Sequence, residues 1–177
     1  MLNVEYGSIY PVNDSKVTKP VILEANSPPL KKIKTNKKEV LIIEDSAAVL
    51  LVFRKFLTNL GYENIYTCTT GRKGIKIFTE LNDSSKTPIV FLDYSLPDMI
   101  GDEIMEELFD INPDAQIIIV SANERNDEVI KEILRHGAYD FIEKPIRLEN
   151  IRNITKVIEQ EERIIDDQPD YSFDVKW

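Results

Sequence analysis

The sequence predicts an α/β fold: a doubly wound, five-stranded parallel sheet with helices on both faces. Three observations predict it. Between Glu39 and Ile158, short apolar runs alternate with stretches of helical periodicity, the pattern of crossover units and a parallel sheet. The clearest runs, such as 40–43 and 117–120, are apolar throughout, as expected of strands covered on both faces. Four runs end in polar residues: Glu44 with Asp45, then Asp93, Ser121 and Lys144. Parallel neighbouring strands would bring those ends to one edge of a sheet.

Each element has its own signal. The first strand is predicted over 40–43, and Ser46 is a suitable N-cap for the helix that follows. In that helix Val49, Val52, Phe53, Phe56, Leu57 and Leu60 recur at helical spacing until Gly61. The second strand is predicted over 64–68, and the second helix over 71–81 with Ile75 and Phe78 facing in. The third strand is predicted over 89–92, and a short helix over 102–109 ends before Asn112 and Pro113. The fourth strand is predicted over 117–120. A helix over 124–136 carries Val129, Ile130, Ile133 and Leu134 and stops at Gly137. The fifth strand is predicted over 139–142, and the last helix over 148–158 has Leu148, Ile151, Ile154 and Ile158 on one face. Right-handed crossovers leave few topologies. The flavodoxin-like order 2-1-3-4-5 is a common one, and its ligand site lies beyond the carboxyl ends of strands 1 and 3. Those ends carry Asp45 and Asp93.

The flanks read differently. Residues 1–38 form a Pro/Lys-rich extension, broken by Pro11, Pro20, Pro28 and Pro29 and closed by the run KKIKTNKK. Without periodicity such a segment buries too little apolar surface to offset its ordering entropy, so disorder is expected. The lysine run reads as a solvated linker. Residues 159–177 form an acidic tail in which Ile164 and Ile165 extend the last helix, Pro169 stops it, and DYSFDVKW closes the chain.

Composition excludes several function classes. The chain is 42% hydrophobic and carries a formal net charge of −9, which suits a folded core and disfavours direct DNA binding, since DNA affinity comes mainly from cations meeting phosphates. The one cysteine, Cys68, rules out an intrachain disulfide and points to a cytoplasmic location. It reads as strand packing. The one histidine, His136, sits near a helix C-terminus and rules out a multi-histidine metal site. No apolar stretch approaches the roughly 20 residues of a membrane span, and the first residues lack the pattern of a signal peptide.

The polar strand ends define the chemistry. Glu44, Asp45 and Asp93 carry −3 when ionised. Carboxylates that close repel and raise one another's pKa, and a hard divalent cation relieves the repulsion. Mg²⁺ prefers six oxygens and suits one or two carboxylates plus a phosphoryl oxygen. Together with Lys144 it brings the formal charge to zero, which lets a phosphoryl donor approach.

Taken together, EVLIIEDS (39–46), PIVFLDYSLPDMIG (88–101), IIIVSAN (117–123) and GAYDFIEKP (137–145) resemble the receiver domain of two-component response regulators. The likeness covers residues 39–158. It implies that Asp93 is the phosphoacceptor and that Asp45 binds Mg²⁺ (or Mn²⁺) directly. Glu44 would act through water, and the Ser95 backbone carbonyl would be a further ligand. It places Ser121 and Phe141 at the switch positions, and Ser95 and Asn123 at the positions that tune phosphate loss. Lys144 and Pro145 match the family's Lys-Pro pair, usually joined by a cis bond. The implied partners are a sensor histidine kinase or a histidine phosphotransfer protein, together with an unidentified downstream protein. Homodimerisation through the face from the fourth to the fifth helix is a further implication. Because only 19 residues follow Ile158, a single-domain regulator without an output module is expected. It would be no enzyme beyond its own phosphorylation and dephosphorylation. Two alternatives stand beside this reading. One is a pseudo-receiver that binds partners without taking phosphate. The other is a phosphohydrolase of the haloacid dehalogenase type, against which EDSAA stands where D-x-D-x-T would be.

Overall fold

The computed structural model describes residues 38–123 and 127–166. The expected extension, save Lys38, lies outside the described residues, as does the tail beyond Asp166. Ten elements alternate along the chain: β1 (Val40–Ile43), α1 (Ala47–Asn59), β2 (Ile65–Cys68), α2 (Gly71–Asp83), β3 (Ile89–Asp93), α3 (Gly101–Ile111), β4 (Ile117–Ser121), α4 (Glu128–Arg135), β5 (Asp140–Glu143) and α5 (Leu148–Asp166). All pairings are parallel, and the strand order is β2-β1-β3-β4-β5. This is the flavodoxin-like order expected from the alternation.

Side-chain alternation splits the central strands between two cores. Leu41, Ile43, Val90, Leu92, Ile117, Ile119 and Phe141 pack with α2, α3 and α4. Val40, Ile42, Ile89, Phe91, Ile118, Val120 and Ile142 pack with α1 and α5. Both faces are covered, so these runs could not alternate with polar residues. Phe53 of α1 meets Phe91 of β3 with ring centroids 5.1 Å apart and planes tilted by 48°, a favoured aromatic arrangement.

Helix boundaries differ from expectation where caps decide them. Ser46 caps α1, its hydroxyl accepting the Val49 N–H at 3.5 Å. Gly61, with φ of 88°, turns the chain out of that helix. The fourth helix begins at Glu128, because Asp127 has extended backbone and its carboxylate accepts the Val129 N–H at 2.9 Å. Residues 124–126, expected as its first turn, lie outside the described residues. The last helix continues past Ile158 to Asp166. Two of the apolar residues that mark these helices are exposed, Val52 by 38% and Val129 by 41%. Each lies at the edge of its helix's apolar stripe, beside Phe53 and Ile130, which are buried.

Phe91→Ala is expected to lower stability by about 3–5 kcal/mol, read as a lower urea midpoint with an unchanged slope. A loss under about 1 kcal/mol would show that the Phe53–Phe91 contact contributes little to the core.

Candidate functional site

The register brings the polar strand ends together. Ile43 pairs with Leu92, so Glu44 and Asp45 leave β1 beside Asp93, the last residue of β3. Asp93 pairs with Val120, and Ser121 pairs with Glu143. Ser121 therefore ends β4 next to Asp93, and Lys144 follows on from β5. The Lys144 N–H donates to the Ser121 carbonyl at 2.7 Å, and the Lys144–Pro145 bond is cis.

Lys144 is the hub of this edge. Its Nζ donates to Asp93 Oδ2 at 2.9 Å and lies 2.9 Å from Glu44 Oε2. Glu44 is 1% exposed and Asp93 5%, whereas Asp45 is exposed. One oxygen from each of the three carboxylates lies within 4.8 Å of the others. Backbone donors hold two of these side chains: Ser46 N–H on Glu44 Oε1 and Ser95 N–H on Asp93 Oδ1, each at 3.1 Å. Glu44 Oε2 is buried and ion-paired with the Lys144 ammonium at 2.9 Å.

Burial pushes the Glu44 carboxyl above its ordinary range; the Lys144 contact opposes this and the Asp93 charge adds to it. Burial works against the charge on Lys144, but its contacts with Glu44 and Asp93 outweigh that and hold the ammonium above its usual value. One lysine thus faces three carboxylates. Three carboxylates that converge within 4.8 Å around a single lysine fit a small divalent cation with hard oxygen ligands.

The other predicted residues lie around this group. Ser121 is 3% exposed and its hydroxyl accepts the Asn123 N–H at 3.2 Å. The Asn123 side chain donates to Asp127 at 3.2 Å. Phe141 is 4% exposed, in the core on the α4 side. Ser95 is exposed on the β3–α3 loop. Sequence reasoning missed Tyr94, whose hydroxyl donates to Asp102 at 2.9 Å. Gly101 was the available signal, since a Cβ there would lie 2.4 Å from the Tyr94 ring. Away from this edge, a 510 Å³ cavity lined by Phe109, Asp114, His136 and Tyr139 holds no comparable group.

A family model of the response regulator receiver domain matches residues 40–156. The chain belongs to the response regulator receiver family. It is 36% identical over 110 residues to the chemotaxis protein CheY of Thermotoga maritima, covering 62% of this chain and 88% of that one. It is 32% identical over 117 residues to the two-component response regulator ORR21 of Oryza sativa. That match covers 66% of this chain but only 16% of the rice protein, in which the receiver is a small part. Among solved structures, the CheX–CheY–BeF3–Mg complex of Borrelia burgdorferi matches with a TM-score of 0.62 and 24% identity, over 69% of this chain and 89% of that one. This likeness shows the fold. The receiver places its acidic group at the switch point between β1 and β3, where this topology puts ligands. No helix among the described residues is long and apolar enough to cross a membrane.

Lys144→Met leaves a buried carboxylate without its cation, a loss of about 3–5 kcal/mol in full burial. The lysine side chain is 25% exposed, and solvent screening brings the expected loss to about 2–3 kcal/mol at neutral pH. The pH dependence follows from Glu44. Its folded-state pKa is raised, so protonation favours the folded state, and the deficit shrinks as pH falls through that raised value. Urea denaturation at neutral and mildly acid pH checks this; an equal deficit at both would contradict the pairing.

Proposed function

We propose that this receiver is a phosphoacceptor switch: Asp93 takes a phosphoryl group from a phosphohistidine, with Mg²⁺ held at the acidic edge. The observation that carries the reading is Lys144 Nζ, 2.9 Å from both Glu44 and Asp93 in a cluster of three converging carboxylates. Asp45, Asp93, the Ser95 carbonyl and, through water, Glu44 would hold the cation. When bound, it supplies charge neutralisation for an approaching phosphate and a fixed point for one phosphoryl oxygen; Mn²⁺ would serve in its place.

The chain's own residues do the rest. Asp93 attacks phosphorus through one carboxylate oxygen as the phosphorus–nitrogen bond of the donor breaks, and the electron pair leaves with the imidazole. Lys144 stabilises charge on the transferring group, since positioning and electrostatics dominate phosphoryl transfer. The Ser121 hydroxyl donates to a phosphoryl oxygen. The product is an acyl phosphate with roughly two negative charges. Ser121 follows the new charge, Phe141 moves into the space it leaves, and the face formed by α4, β5 and α5 changes. Ser95 and Asn123 line the approach of water and set how long the phosphate lasts. The reaction is confined to the protein's own aspartate, with no turnover of an external substrate.

The partners follow from the same reading. The donor is a sensor histidine kinase or a histidine phosphotransfer protein. The first turns of α1 expose Ala47, Ala48, Leu51 and Val52 beside Asp45, an apolar landing for such a protein. The output is a change in binding to a downstream protein or to a second copy through α4 and α5, which expose Val129 and Val157. The CheX–CheY complex supports a receiver whose output is protein binding. The proposed donor and the lone buried cysteine both fit the cytoplasm. No observation favours a pseudo-receiver over this reading.

Intact mass after incubation with a small phosphodonor and Mg²⁺ tests it. One added phosphoryl group is expected in the wild type, and none without Mg²⁺ or in Asp93→Asn. A wild type that gains no mass, or an Asp93→Asn variant that does, would overturn it.

A further inference from the structure

Between β3 and α3 the chain makes a loop over residues 94–100. Ser95 and Ile100 face each other across an antiparallel bridge, and the Gly101 N–H donates to the Tyr94 carbonyl at 3.0 Å. Leu96 is 8% exposed and seated in the core. These contacts close the base of the loop.

The tip is fixed by Asp98. Its Oδ1 accepts the Gly71 N–H at 2.9 Å and its Oδ2 the Arg72 N–H at 3.1 Å. Gly71 and Arg72 are the first residues of α2. Their N–H groups have no partner within the helix, and the positive end of the helix dipole favours a carboxylate there. Thr70, the N-cap itself, accepts the Lys73 N–H at 3.4 Å. A neighbour three residues away thus caps one donor, and a residue 27 positions away caps the first. The close approach depends on Gly71, where a Cβ would lie 2.6 Å from Ile104 Cδ1 and 3.2 Å from Met99 Cβ.

We infer that Asp98 is a positioning residue: by pinning the loop tip to α2, it fixes the Ser95 peptide against Asp93. The Ser95 N–H donates to Asp93 Oδ1, and its carbonyl is the proposed backbone ligand of the cation, so the inference rests on the function proposed above. Only Leu96 and Pro97 separate Ser95 from Asp98, and the fixed φ of Pro97 limits the slack between them. Without Asp98 the loop keeps Leu96 and the Tyr94–Gly101 closure, and hence its fold, but the Ser95 carbonyl loses its fixed aim.

The test is a calorimetric titration of the full chain with magnesium chloride, alongside thermal unfolding, for wild type, Asp98→Ala, Asp98→Asn and Thr70→Ala. Asp98→Ala is expected to raise the Kd for Mg²⁺ on the order of tenfold, as when other groups that orient a metal ligand are removed. Asp98→Asn keeps one acceptor oxygen and falls between; it carries the same comparison if Asp98→Ala does not fold. Thr70→Ala removes a cap from the same helix end without touching the loop, and should lower Tm while leaving the Kd at the wild-type value. Wild-type Mg²⁺ affinity in both Asp98 variants, whatever their Tm, would reduce Asp98 to a helix cap and overturn the inference alone. A wild type that takes up no Mg²⁺ would overturn the proposed function, and the inference with it.

Discussion

Everything at the working edge of this domain depends on one ammonium group. Two of its three carboxylates, Glu44 and Asp93, are buried, where uncompensated charge is costly. Lys144 reaches both at 2.9 Å. It is one cation against three carboxylates, so formal negative charge is in excess at a single point. An excess of that kind fits a divalent cation, and the buried Glu44 carboxylate is part of it.

The fold supplies the geometry that makes this possible. In a parallel sheet all carboxyl ends point the same way, and the order β2-β1-β3-β4-β5 sets the acidic ends of β1 and β3 side by side. β4 and β5 then add a hydroxyl and an ammonium in sequence. The central strands β1, β3 and β4 are buried on both faces and packed between two helical layers. A rigid platform of this kind holds charged groups where water alone would let them separate. Ser121 and Phe141 sit at its border, both buried, Phe141 in the core on the α4 side.

Much of this was legible in the sequence because the signals are local. Uniformly apolar runs marked buried strands, Gly61 and Gly137 marked helix ends, and polar residues at the ends of runs marked the edge. Contacts between distant segments were not legible. Asp98 caps a helix 27 residues before it, and local capping patterns cannot reveal such a pair. Tyr94 and Asp102 are only eight apart, but their bond depends on how the loop closes. The structure starts α4 at Glu128 rather than at 124, because apolar periodicity does not mark a helix's first residue and the Asp127 cap does. Sequence also left open which of Glu44 and Asp45 is buried. The structure buries Glu44 and leaves Asp45 exposed.

The acidic edge has one cation for three carboxylates, and the proposed divalent cation would make up the difference. The most direct measurement is equilibrium unfolding of the full chain across a range of Mg²⁺ concentrations, with sodium chloride at matched ionic strength as the control. Above the Kd, stability is expected to rise by about 1.4 kcal/mol for each tenfold increase in Mg²⁺. Stability that ignores Mg²⁺, or that follows ionic strength alone, would contradict it.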